Sequence, residues 1–159
     1  MPAYRRGMPS PEALVAVARP GVRLRRVTGV PAYDEEVVLL GGGEVFRLPL
    51  TVAAAARAAV LVRALPALRT RLPVAVPLPR FVGVLADGST PFTAERRLPG
   101  SPVAQPTGIA AGQLEGVLAA LEEVTAHEAA LWGGATTPRP QVLLLDPGRR
   151  VLTGLVAWR

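Results

Sequence analysis

The 159-residue chain contains no cysteine, no lysine and no asparagine. Without cysteine there are no disulfides and no thiolate metal sites. All 18 basic residues are arginine, so chemistry that needs a compact ammonium cannot come from this chain alone. The same holds for chemistry that needs an asparagine amide. Aromatic residues make up 4% of the chain, which leaves Val, Leu and Ala to fill the core. No uncharged run reaches the roughly 18 apolar residues of a spanning helix. The stretch Ala13–Ala18 is too short for a signal sequence before Arg19 interrupts it. The expectation is a cytoplasmic protein with no membrane partner.

Half of the residues are hydrophobic, at 50%, and mean hydropathy is +0.32. One domain of this length buries a real core, and the high apolar content predicts a leftover face for a protein partner or for self-association. Net charge is +6. A basic balance raises the question of nucleic acid. The arginines are scattered along the chain, densest at Arg23–Arg26, and no nucleic-acid-binding motif accompanies them. A solvated basic surface is expected instead, and nucleic acid is not an expected partner.

Ser10-Pro11-Glu12 predicts a helix start, with Ser10 as cap and Pro11 in the first turn. Val22–Val30 is strand-like. Glu35–Leu40 and Glu44–Leu48 predict two strands around Gly41-Gly42-Gly43, a hairpin signal rather than a phosphate cradle, since no helix follows. Residues 51–65 read as a helix capped by Thr51 and stopped by Pro66. Phe81–Leu85 and Phe92–Arg96 predict another strand pair around Asp87-Gly88-Ser89. Residues 98–113 are rich in Pro, Gly and Ala and read as a hinge or linker. Leu114, Val117, Leu118, Leu121 and Val124 repeat at helical spacing, which predicts a helix over 114–131. His127, the sole histidine, falls near its end with no nucleophile beside it. Residues 141–158 close the chain as a hairpin, with Asp146-Pro147-Gly148 as its turn. The fold class is α+β with a mostly antiparallel sheet. Three acids, Asp34, Glu35 and Glu36, sit together at a strand entry, where solvation is their ordinary role.

The order of elements and four local strings resemble the aminoglycoside phosphotransferase family of kinase-like enzymes. GEVFRLPL (43–50) is similar to the family's strand carrying the phosphate-contacting cation. LPALRTRLPVAVPLP (65–79) is similar to the stretch after the next helix. PFTAERRLPGSPV (91–103) resembles the nucleotide-hinge segment, and LLDPGRRVLTGLVAW (144–158) the hairpin that leads to the metal-binding carboxylate. The resemblance implies a protein-kinase-like fold. Residues 1–97 would form a sheet lobe with one packed helix, with a hinge near Ala94–Arg97. Residues 98–113 would be the linker, and residues 114–159 a truncated C-terminal part.

Carried over position by position, the resemblance places the strand cation on Arg47 and hinge contacts to nucleotide on Ala94, Glu95 and Arg96. The helix that should supply a glutamate to that cation, near Leu61, holds no acid. The catalytic aspartate position falls on Thr136, and the two metal-ligand positions on Gln141 and Ala157. One neutral amide oxygen cannot hold Mg²⁺ against water without carboxylates. The family's long helical insertion before the catalytic loop is also missing, since barely ten residues follow His127 there.

The expectation is therefore a truncated, catalytically inactive phosphotransferase-like module. It would have at most weak affinity for ATP and none for Mg²⁺, and would act by binding or assembly. Two alternatives stand beside it. One is an active ATP-dependent small-molecule phosphotransferase whose acids come from a partner chain. The other is a basic nucleic-acid-associated protein.

Overall fold

Alternation along the strands decides the architecture of the first half of the chain. In the computed structural model, which describes residues 7–103, 108–127, 140–146, 148 and 152–158, this half is a five-stranded antiparallel sheet. Its strands are β1 (Arg25–Arg26), β2 (Glu36–Gly41), β3 (Glu44–Pro49), β4 (Arg80–Val84) and β5 (Pro91–Arg96), in the order β1-β2-β3-β5-β4. One face carries Leu39, Phe46, Leu48, Phe92 and Ala94, all buried, and helix α1 (Pro11–Ala18) seats Val15 among them. Ser10 caps α1 as predicted, its Oγ accepting from Ala13 N at 3.1 Å, with Pro11 at the first position. The β2–β3 hairpin turns on Gly42 and Gly43, with φ of 60° and 77°, a conformation that glycine adopts without steric cost. Gly83 has a packing reason: a Cβ there would meet the Phe92 ring at 2.5 Å.

Helix α2 (Val52–Arg69) starts as predicted, with Thr51 Oγ1 accepting from Ala54 N at 3.0 Å. It does not stop at Pro66. The proline lies inside the helix and is exposed, while Ala64, Leu65 and Leu68 around it are fully buried. Burial of that apolar set sustains a further turn against the cost of one missing N–H donor. The strand-like stretch 22–30 is reduced to the two paired residues of β1.

By compactness the chain divides into two units, Met1–Val62 with Pro79–Arg97, and Arg63–Leu78 with Leu98–Arg159. The second unit contains a three-stranded antiparallel sheet of β6 (Ser101–Val103), β7 (Pro140–Leu145) and β8 (Leu152–Trp158). The segment read as a linker over 98–113 is thus structured in two places. Ser101–Val103 pairs with Leu143–Leu145, and helix α3 (Ile109–His127) already begins at Ile109 rather than at Leu114. Ala110, Val117, Leu121 and Val124 form the buried stripe of α3, and Glu115, Glu122 and Glu123 are exposed. The predicted continuation from 128 to 131 lies outside the described residues.

Two backbone approaches tie this unit together. Leu155 N donates to Ala75 O at 3.0 Å, and Gly154 lets that backbone come close, since a Cβ there would stand 3.2 Å from Ala75 O. β7 and β8 pair antiparallel as the closing hairpin predicts, and Asp146 Oδ1 accepts from Gly148 N at 2.9 Å; Pro147 of the expected turn lies outside the described residues. Among the described residues no helix is long and apolar enough to cross a membrane.

Candidate functional site

The opposite face of the five-stranded sheet holds a charge cluster, buried at Glu95 and part-buried at Arg47 and Glu36. Strand alternation puts Arg47 on the far side from its neighbours Phe46 and Leu48, and puts Glu36 and Glu95 on that same side. Arg47 faces Val38 on β2 and Thr93 on β5, so Glu36 and Glu95 are its diagonal neighbours on either hand. Arg47 Nε donates to Glu95 Oε1 at 3.1 Å, and Nη1 donates to Glu36 Oε1 at 2.6 Å. The guanidinium also lies over the Tyr33 ring, 5.0 Å from its centre, a cation–π contact supplied by the connection between β1 and β2. Side-chain exposure is 13% for Arg47, 20% for Glu36 and 4% for Glu95.

Burial pushes the Glu95 carboxyl above its ordinary value, and the Arg47 charge offsets only part of that. Burial alone would lower the Arg47 pKa, but the carboxylates of Glu95 and Glu36 reverse the effect, and it stands above its ordinary value. Two carboxylates against one guanidinium leave the cluster with a formal charge of −1 when all three are ionised.

The residues singled out from the sequence are placed unequally. Arg47 and Glu95 meet in this cluster. Ala94 faces the other way, fully buried in the apolar core with Phe46 and Phe92. Arg96 is exposed at the end of β5, opposite Glu44. Gln141 and Ala157 are placed by their backbone alone. They lie on β7 and β8 between the rungs Pro140–Trp158 and Val142–Val156, and so at one level of the hairpin. Thr136 lies outside the described residues, as does the side chain of His127. Among the described residues no three acidic or histidine side chains converge as a metal site would require.

The partners of Arg47 are the residues that a search for an acid on α2 misses. Period-two alternation from Glu36 and from Glu95 was the available signal. The acids at the entry of β2 are also more than solvated side chains, since Glu35 accepts from Arg57 of α2 at 2.5 Å while Glu36 holds Arg47.

Two further carboxylates set the acid sensitivity of the sheet. Glu44 sits between Arg19 (2.7 Å) and Arg80 (3.1 Å), and its hydrogen bond to Arg19 holds its pKa below the usual value. Asp87 accepts from the Thr90 hydroxyl and from the backbone N–H groups of Ser89 and Thr90, which lower it to about 2. Groups lowered in the folded state stabilise it fully above their unfolded values and lose that contribution as pH falls through the folded ones. Glu95 has the opposite sign: the folded chain takes up its proton more readily than the unfolded one, so mild acidification removes a cost. The melting temperature is therefore expected to hold or rise from about pH 7 to about 5 and to fall below about pH 4. Asp87→Asn should flatten the fall between about pH 4 and 2 in a series of thermal melts. An acid limb identical to that of the parent chain would contradict the assignment.

No protein-family model matches the chain, and no curated protein matches its sequence. Solved structures do. The GDP complex of a point mutant of aminoglycoside 2'-phosphotransferase-IIIa is 19% identical, with a TM-score of 0.61 over 77% of this chain and 43% of that one. The GDP and kanamycin complex of APH(2")-IIia is 16% identical, with a TM-score of 0.56 over 91% of this chain and 70% of that one. The apoenzyme of a macrolide 2'-phosphotransferase from Brachybacterium faecium is 31% identical, with a TM-score of 0.56 over 76% of this chain and 45% of that one. The chain thus spans less than half the length of the first and third of these proteins. It shares with all three an α+β fold of the kinase-like phosphotransferase kind.

Proposed function

We propose that this chain is a kinase-like binding module that does not transfer phosphate by itself. The observation that carries this reading is the state of Arg47. Phosphoryl transfer on this kind of scaffold depends on a strand cation that neutralises nucleotide phosphates, together with acids that hold Mg²⁺ and align the acceptor. Here the strand cation is engaged by two carboxylates and an aromatic ring, and the cluster's formal charge is −1 rather than +1. A triphosphate approaching that face meets repulsion from Glu36 and Glu95 in place of an available guanidinium.

The residue types at the remaining positions agree. Thr136, Gln141 and Ala157 stand where the resemblance calls for an aspartate and two Mg²⁺ ligands, and none of them carries a carboxylate. Two of the similar structures hold GDP, so guanine as well as adenine nucleotides are the ligands to test.

The test is phosphate release from ATP and from GTP with Mg²⁺, with and without aminoglycoside and macrolide acceptors. The expected rate is that of buffer alone. Turnover that rises with protein concentration, and that Glu36→Gln and Arg47→Met alter, would overturn the proposal.

A further inference from the structure

Arginines far apart in sequence come together at one end of the five-stranded sheet. The Gly42–Gly43 turn marks that end. Arg23 runs beside it, its carbonyl oxygen 2.5 Å from where a Cβ on Gly41 would sit, and Arg25 pairs opposite Leu40. Arg96 pairs opposite Glu44, and Arg97 N donates to Gly43 O at 2.9 Å. Arg19 and Arg80 both reach Glu44. Six arginines therefore share this end of the sheet with one carboxylate, Glu44; by strand alternation Arg96 lies on the face of Glu44, and Arg25, opposite Leu40, on the other face. Arg19 and Arg80 share that acid, whereas Arg23, Arg25, Arg96 and Arg97 are exposed and make no ion pair among the described residues.

Charged side chains on edge strands discourage strand addition, which gives Arg25 on β1 an ordinary purpose. The same purpose serves Arg96, since β4 begins at Arg80 opposite Ala94 and leaves the end of β5 unpaired on that side, but it does not extend to Arg23 and Arg97, which lie outside the strands. Four unneutralised like charges at one sheet end repel each other, and an anion with several closely spaced charges relieves the repulsion.

We propose that this end of the sheet binds the phosphate backbone of a double-stranded nucleic acid. Guanidinium forks match phosphate oxygens in bidentate geometry, and a duplex presents one charge per roughly 1.7 Å of axis. Strands about 4.8 Å apart spread the arginines over a width that several phosphates can meet. Backbone contact rather than base stacking follows from the rings near the patch. Among the described side chains Phe46 and Phe92 are buried, Tyr33 is committed to Arg47, and Phe81 is the one exposed ring, too few to stack successive bases. Such binding is independent of sequence and steeply salt-dependent.

The test is fluorescence anisotropy of the full chain on labelled duplex DNA and duplex RNA of about 20 base pairs, between 50 and 200 mM NaCl, with polyglutamate as an acidic-polymer probe. Four phosphate contacts predict a log–log salt slope of about −3.6, a loss of roughly 100-fold across that range. The variant R23Q/R25Q/R96Q/R97Q should bind at least about 30-fold more weakly at the low-salt end, with the slope reduced by about one per arginine removed. The half variants R23Q/R25Q and R96Q/R97Q should each show about half of the logarithmic effect. R63E/R69E changes the net charge by the same −4 at exposed positions of α2 and should stay within about threefold of the parent. Equal loss in that control reduces the effect to net charge and overturns the site. Absence of duplex binding, or binding to polyglutamate alone, overturns the nucleic-acid assignment.

Discussion

Arg47→Ala is expected to lower the stability of the chain by about 3–5 kcal/mol, the usual cost of removing one partner from a buried ion pair. The cost is large because of what remains. Glu95 is 4% exposed on its side chain and would keep its place beside Glu36 with no cation between them. Two carboxylates facing one vacancy repel each other, and burial already pushes Glu95 toward its protonated form. At about 2–4 °C per kcal/mol for a chain of this size, the melting temperature should drop by roughly 10 °C. The double variant Arg47→Met with Glu95→Leu removes both buried charges in apolar side chains and should recover most of the loss, since such replacements are often neutral. Urea unfolding of the parent, the single and the double variant measures all three. A single-variant loss below about 1 kcal/mol would mean that the pair is solvated, and would contradict the cluster as described.

Phe46→Ala, one residue away, is expected to cost a similar 3–5 kcal/mol for an unrelated reason. Phe46 is fully buried against Val15, Leu39 and Phe92, so truncation removes apolar contact and leaves a cavity that α1 and the strands can close only in part. Phe46→Leu should cost about 1.5 kcal/mol or less, because most of the volume is kept. The pair of experiments separates the two faces of β3. Raising salt should weaken the Arg47 cluster's contribution slightly and leave the Phe46 cost unchanged. Equal unfolding free energies for the parent and Phe46→Ala would contradict the placement of the core.

The order of elements along the chain and the α+β class were legible because local signals were strong. Ser10-Pro11 and Thr51 are helix starts of ordinary chemistry, and Gly42-Gly43 allows only a tight turn between two apolar runs. Proline misled in two places. Pro66 looked like a stop, yet the burial of Leu65 and Leu68 on either side keeps α2 going to Arg69. Ser101-Pro102-Val103 looked like linker, yet it forms an edge strand of the small sheet, where a residue without an N–H is tolerated.

The charge cluster was half visible. Arg47 stood out as the strand cation, but its partners were sought on a helix, and only pairing β2 and β5 on either side of β3 shows that Glu36 and Glu95 reach it. The basic sheet end was visible only as the dense run Arg23–Arg26, for a similar reason. Residues 19–25, 80 and 96–97 are separated by strands and a helix, and antiparallel pairing alone makes them neighbours.

We propose that this kinase-like fold lacks a site for metal-bound nucleotide. Isothermal titration of ATP and of GTP onto the chain, once with Mg²⁺ and once with EDTA, tests it most directly. The predicted result is that Mg²⁺ makes no difference to affinity for either nucleotide, which is weak or absent throughout. Binding at least tenfold tighter with Mg²⁺ than with EDTA would contradict it.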